Sequence, residues 1–365
     1  VGGSGAGGAD PANEPIGGPT QPPVLTPGRA RRMQLPRSPK IIAGLVILAI
    51  FLIMAIVGPI VAPYDPSASL STTNGTPQPP SAAHWLGTTQ TQQDVFSQLL
   101  VGARSTILVA LLSGVAATIL SVLIGVSAGY LRGRWADDFL SMLANFFLVM
   151  PALPLLIVIF GFLPPSQNTD DVLIGLIIAI TGWAWGARVL RAQTLSLRSR
   201  DYVESARIIG ERGWRVIGFE ILPNLAPVVA SSFLFTVLYG VGTYTALAFL
   251  GLINPLHWSW GSMLFEAQGS SAEISGYWWW YIPPGLAVAF LGTSLALLNF
   301  GIDEFINPRL RAAGVTRRRA KKAGDKGLPR RFELGVTPVV RTTAPGSTPA
   351  AAGAAMADRT QEQPS

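Results

Sequence analysis

Apolar positions along the chain fall in long uninterrupted blocks separated by short polar stretches. Ile41–Ala62 runs 22 residues without a charge, and about 20 apolar residues are enough for a helix to cross a bilayer. Comparable runs follow at Ser105–Tyr130, Phe139–Leu163, Val172–Ala187, Pro223–Phe265 and Ser275–Ile302. The fourth holds only 16 residues, so its helix must borrow flanking residues or lean on its neighbours. The fifth is too long for one span, and its helix is placed at 225–250. The pattern predicts an all-α polytopic membrane protein with six spanning helices, at 41–62, 105–130, 139–163, 172–190, 225–250 and 281–302.

Composition agrees with that class. Of 365 residues, 49% are hydrophobic and 13% charged, against about 25% charged in a soluble domain. A soluble globule and a wholly disordered chain are both excluded. Cysteine is absent, which removes disulfides, thiolate nucleophiles and Cys-ligated zinc. His84 and His257 are the only histidines; a His-rich metal site is out, and both read as structural. The predicted spans hold no Asp, Glu, His or Lys. That argues against a membrane-embedded enzyme and an ion-coupled transporter, which generally need ionisable or broken-helix sites in the membrane.

The net charge of +7 could suggest nucleic acid, but its distribution decides otherwise. If the N-terminus is cytoplasmic, alternating loops place 26 of the 27 basic residues inside. Five lie at Arg29–Lys40, two at Arg132 and Arg134, seven from Arg188 to Arg215, and twelve from Arg309 to Arg359. Only Arg104 is left outside. The positive-inside rule therefore puts both termini in the cytoplasm and removes nucleic acid as a partner. Residues 1–28 contain eight Gly and six Pro. Residues 1–40 and 313–365 read as disordered basic tails flanking a transmembrane domain at 41–312.

Three polar segments remain. Residues 63–103 and 251–280 face outside, and 188–222 face the cytoplasm. Trp278–Tyr281 reads as an aromatic belt at the membrane interface. Gly125 and Gly129, four apart, suit close helix packing, as does Gly240. Asp303 and Glu304 are expected to pair with Arg309 or Arg311. The cytoplasmic segment is the informative one: Asp201–Asn224 reads D-Y-V-E-S-A-R-I-I-G-E-R-G-W-R-V-I-G-F-E-I-L-P-N. Asp201 can cap a helix of about two turns. Gly210 and Gly213 permit a bend between two short helices, and Pro223 suits the first turn of the next span. Such a helix, lying across the ends of spanning helices, would be a mechanical coupling element. A solvated basic loop is the other reading of the same residues.

The segment resembles the EAA loop of permease subunits in binding-protein-dependent ABC importers. The matching residues are Glu204-Ser205-Ala206, Gly210 and Ile221-Leu222-Pro223-Asn224. Further motifs, in order, resemble the dipeptide, oligopeptide and nickel branch: Trp85–Thr88, Asp94–Arg104, Ala128–Tyr130, Asp201–Val203, Phe249–Leu252, Trp260–Leu264 and Asn307–Arg311. The chain departs from the family pattern at Thr89–Gln93 and at Phe219-Glu220. The resemblance implies a type I importer permease in the plasma membrane, without catalysis or cofactor of its own. It would form the path for short peptides, or for nickel, heme or another small solute, with a second permease. One or two ATPase subunits would carry ATP and Mg, and an extracytoplasmic binding protein would deliver the solute. The residues implied in ATPase coupling are Tyr202, Val203, Glu204, Ser205, Ala206, Arg207, Gly210 and Arg212. Those implied to face the binding protein are Trp85, Gly87, Asp94 and Trp260.

The topology is open to a clean test, because the chain has no native cysteine. Single cysteines at Thr91 and Ser270 should react with an impermeant thiol reagent in whole cells, and one at Ser199 should not. The reverse labelling pattern would invert the topology.

Overall fold

A chain in hydrocarbon must satisfy its backbone hydrogen bonds within each segment, which helices do. The computed structural model describes residues 2–3, 39–68, 75–164, 170–255 and 257–306. The expectations for the two tails, and for the pairing of Asp303 and Glu304, lie outside what is described. The described residues form helices and loops with no strand. The sole sheet-like feature among them is an isolated antiparallel bridge between Thr88 and Asp94.

Helix α1 (Pro39–Val61) is followed by a loop and the long α2 (Val95–Tyr130). Next come α3 (Trp135–Val149), α4 (Ala152–Phe162) and α5 (Asp171–Arg198). A short α6 (Asp201–Ile208) precedes a continuous helical run of α7 (Gly213–Arg215), a π-helical turn (Val216–Ile221) and α8 (Leu222–Phe249). The last described elements are α9 (Trp260–Gly269) and α10 (Trp278–Ile306). Five helical stretches are long and apolar enough to cross a membrane, and α3 with α4 makes a sixth if that bent pair is one span.

Three boundaries differ from the sequence reading, each for a physical reason. The third predicted helix is broken: α3 and α4 meet at 87°. Met150 is extended, with φ −68° and ψ 129°, because the ring of Pro151 disfavours the helical region for the residue before it. Helix α2 begins ten residues before the expected Ser105, since Asp94 caps it: its carboxylate accepts from Ser97 N and Ser97 Oγ, both at 2.7 Å. At about 1.5 Å per residue, its 36 residues extend well past a hydrocarbon core of about 30 Å. Helix α5 likewise continues through Arg188 and Arg191 to Arg198. Charge ends an apolar run, but it does not end a helix that has left the bilayer.

The expected second short helix of the cytoplasmic segment is not separate. It runs into α8 through the π-helical turn. Pro223 lacks an N–H, and its ring would clash with the carbonyl four residues back in a regular helix. The π turn widens the backbone ahead of it. Leu222 N donates to Ile217 O, and Asn224 Nδ2 donates to Glu220 O at 2.7 Å.

The bundle is organised on α2, which packs against α1, α5 and α8. Its closest approach is to α5. A Cβ added to Gly125 would lie 2.8 Å from Ala187 Cα, and one on Gly129 would lie 2.6 Å from Thr194 Cβ and 2.9 Å from Arg191 O. Gly186, on α5, faces Ser121 across the same seam. The expected close packing at Gly125, Gly129 and Gly240 is present, Gly240 lying over Ala110 and Ser113. Ser121 Oγ donates at 2.6 Å to Trp183 O, tying the two helices. At the arginine-rich end Asp137, buried at the start of α3, accepts from Arg191 Nε at 2.8 Å and Nη2 at 3.0 Å. One of the topology-setting arginines is thus also a tether for α3.

Gly125→Ala should lower the thermal stability of the solubilised chain by an amount equivalent to about 1–3 kcal/mol, the usual range for overpacking. Gly161→Ala, where an added Cβ meets nothing within 4 Å, should leave the melting temperature near wild type. A fluorescence-detected melt of both variants decides it.

Candidate functional site

Helix α6 and the turn after it form a projecting element at the arginine-rich end. Asp201 does not cap it. Arg200 holds the cap position and no side chain caps the helix. Asp201 and Glu204 instead lie in the first turn, where negative charge suits the helix dipole. The C-terminus is closed in the Schellman manner. Glu211 N donates to Ala206 O and Gly210 N to Arg207 O, each at 3.1 Å. Gly210 has φ +87°, a conformation that side chains with a Cβ resist.

One residue fixes this element to the bundle. Val203 is fully buried, in a cluster with Val126 of α2, Leu190 of α5, Val216 and Ile221 of the π turn, and Leu225 of α8. Ala206 is half-buried against the same cluster. The family resemblance implies both as coupling residues; the structure turns Val203 wholly, and Ala206 partly, toward the chain's own core. Tyr202, Glu204, Ser205, Arg207, Gly210 and Arg212 are exposed. The largest apolar exposure here escaped the sequence reading. Ile208 and Ile209 are 80% and 81% exposed, and Trp214 is 66% exposed. The available signal was an Ile-Ile pair set between Arg207 and a turn glycine, in a segment otherwise rich in charge. Beside this patch, Arg132, Arg198, Arg207, Ser199 and Glu204 line a polar cavity of 360 Å³.

The opposite, loop-rich end holds the other group of candidates. Trp85 is 68% exposed, its ring 5.1 Å from that of Phe96. Gly87, Asp94 and Trp260 are buried, so they present little surface to a partner and instead support that surface from beneath. Gly87 has φ +69° and lies so close to Gln78 O and the Trp279 ring that any Cβ would strike them. Besides capping α2, Asp94 takes a 2.9 Å contact from His84 Nδ1. Trp260 Nε1 donates to Leu99 O at 3.0 Å, and its ring meets Phe51 edge-on at 5.5 Å. Only one of the three consecutive tryptophans fits an interfacial belt: Trp278 is half-exposed, whereas Trp279 and Trp280 are buried. Trp279 Nε1 reaches Thr88 O at 3.4 Å. The second histidine also clasps an aspartate, His257 Nε2 lying 2.7 Å from Asp171 Oδ1. On α9, burial pushes the Glu266 carboxyl up to about 7. Among the described residues no group of three or more His, Cys, Asp or Glu is placed to hold a metal ion.

The Gly210 turn gives a direct test of local structure. Gly210→Val should destabilise the α6 terminus by about 1–2 kcal/mol, the penalty for a left-handed L-residue, whereas Gly210→Asn should be milder because Asn tolerates that region. Amide hydrogen exchange at Ile209–Glu211 should quicken about tenfold in the valine variant. Equal protection in all three proteins would refute the role given to the turn.

Comparison with known proteins bears on both ends. Residues 121–312 match the family described as binding-protein-dependent transport system inner membrane component. Residues 27–80 match the N-terminal TM domain of oligopeptide transport permease C. The chain is 30% identical over 271 residues to the dipeptide transport system permease protein DppC of Bacillus subtilis, covering 74% of this chain and 82% of that one. It is 34% identical over 296 residues to a putative peptide transport system permease protein of Brucella suis, covering 80% and 94%. To the oligopeptide transport system permease protein OppC of Bacillus subtilis it is 32% identical over 275 residues, covering 73% and 85%. The chain, a nearly all-helical polytopic protein with a short helix presented at its arginine-rich end, belongs to the family of inner membrane components of binding-protein-dependent transport systems.

Proposed function

We propose that this chain is the permease subunit of an ATP-driven importer of short peptides, and that α6 with its following turn is the docking site for a cytoplasmic ATPase subunit. The observation that carries the reading is the exposure of Ile208 and Ile209 at the end of α6, an element whose buried Val203 leaves it little freedom to move alone, with Trp214 exposed on α7 just beyond the turn. Apolar residues held out in this way suit insertion into a groove of another protein. Glu204, Arg207 and Arg212 supply polar contacts at its rim.

The mechanism follows from the anchoring. ATP and Mg sit on the ATPase subunits, and this chain contributes neither a nucleotide site nor catalysis. Closure of the ATPases moves α6. Val203 passes that displacement to α2, α5 and α8 together, because all three share its cluster. The bundle then rocks as a body against a second permease and alternates the access of the path between them. Both termini and the arginine-rich end are cytoplasmic in this reading, in the plasma membrane of a bacterium, with the transport domain at 41–312. A binding protein docks at the loop-rich end, where Trp85 is the exposed aromatic. Peptide is the solute because relatives along most of the chain's length carry dipeptide, oligopeptide or peptide in their names.

The double variant Ile208→Asp, Ile209→Asp should insert normally yet bind ATPase subunits about 30-fold more weakly, since losing a central apolar anchor costs about 2 kcal/mol or more. Peptide uptake should fall with it. Arg198→Ala, outside the patch, should be mild, within about 0.5 kcal/mol. Co-purification and peptide-stimulated ATPase assays read both. Normal uptake by the double variant would sink the docking site, and a non-peptide ligand on the cognate binding protein would sink the solute.

A further inference from the structure

Arg104 is the one basic residue that the charge distribution leaves on the outside, and its surroundings are unlike those of any other arginine described. It lies on α2 in a groove of 430 Å³ between α1 and α2. Every other lining residue is apolar, among them Ile56, Pro59 and Ile60 of α1 and Leu108 and Leu111 of α2. Arg104 is exposed, and none of the ion pairs among the described residues includes it.

Its depth can be read from neighbouring helices. Gly58, near the end of α1, lies against the Leu100 carbonyl, one turn before Arg104. The apolar run of α1 ends at Ala62. The Arg104 backbone is therefore one turn nearer the bilayer centre than Gly58. Its long side chain, which on a helix leans toward the N-terminus and snorkels toward water, extends along Pro59 and Ile60 of the last turn of α1, where hydrocarbon gives way to headgroups. From the Arg104 backbone the groove descends to Leu111, seven residues further along α2, or about 10 Å toward the bilayer centre at 1.5 Å per residue. Ile56 and Ile60 on its rim are 72% and 82% exposed, so the groove opens onto the aliphatic face of α1.

A guanidinium that reaches headgroup depth from an aliphatic trough matches one class of molecule. The planar fork of arginine pairs with phosphate in two parallel hydrogen bonds, and the trough offers its walls to an acyl chain. We propose that Arg104 and the α1–α2 groove bind an acidic phospholipid, the phosphate on Arg104 and one chain along Leu108 and Leu111. The proposal rests on α1 and α2 being membrane spans and does not depend on the solute carried. Arginine in a span is unfavourable without a partner, and this lipid supplies one that none of the described ion pairs does.

The full chain, purified in detergent with the subunits that accompany it, should be delipidated and titrated with phosphatidylglycerol or phosphatidylcholine, and bound lipid counted by native mass spectrometry. Wild type should retain phosphatidylglycerol preferentially. Arg104→Gln should weaken that retention about fivefold, the scale of one cation at an anionic lipid surface. Arg104→Lys should keep most of it. Leu108→Trp, which fills the groove and spares the charge, should weaken retention of both lipids. Equal retention by wild type, Arg104→Gln and Leu108→Trp overturns the proposal. So does an Arg104→Gln complex that sheds a partner subunit while its lipid count stays unchanged, because Arg104 would then be pairing with protein. Uptake of solute by a complex that retains no lipid would leave the transport reading standing and this one refuted.

Discussion

The near backbone contact between α2 and α5 is the constraint on which the rest of the structure depends. In hydrocarbon, apolar side chains gain little by leaving lipid for protein, so helices associate through close packing and a few interhelical hydrogen bonds. Gly125, Gly129 and Gly186 remove the side chains that would hold the two helices apart. Ser121, in the same seam, adds a hydrogen bond to Trp183 O. A seam of this kind has little room to slide, because the added Cβ positions would fall inside van der Waals distance of backbone atoms.

Fixing α2 against α5 fixes both ends of the molecule. At the loop-rich end, α2 extends past the bilayer and starts at Asp94, whose carboxylate caps the helix and meets His84. The loop over it is closed by Gly87 and the buried ring of Trp279. At the arginine-rich end, Val126 of the same helix touches the cluster that seats Val203. One rigid rod therefore carries the loop closed over Asp94 at one end and the seat of α6 at the other. That is the geometry a transport subunit needs if force applied to a short helix is to reach the far side of a membrane.

Among the described residues, the ion pairs between segments sit at the ends of the rods. The His84–Asp94 and His257–Asp171 pairs stitch loops to helix starts, and Asp137–Arg191 stitches α3 to α5. Each satisfies a charge or hydrogen-bonding group that packing would otherwise strand. The π-helical turn before Pro223 belongs to the same economy of the backbone, since it accommodates a residue with no N–H at the point where α8 turns into the bundle.

The sequence by itself determined the all-helical membrane class, the rough position of the long apolar helices, the close-packing glycines and the charged segment that contains α6. It could do so because bilayer thickness, the absence of water for backbone groups and the steric size of glycine act on each stretch locally. The ends of α2 and α5 were illegible, because a helix leaving the bilayer is held by a cap such as Asp94 and by neighbours, not by hydropathy. The bend at Met150–Pro151 was visible as a proline, but its 87° was not, because a proline can kink, end or merely begin a helix. Tertiary structure alone decided that Val203 faces inward while Ile208 and Ile209 face out, that Trp279 and Trp280 are core and Trp278 is not, and that Gly87, Asp94 and Trp260 build a surface without appearing on it. In a chain this apolar, residue type says little about burial. Which face of a helix is covered depends on the neighbour that packs there, and that neighbour is distant in sequence.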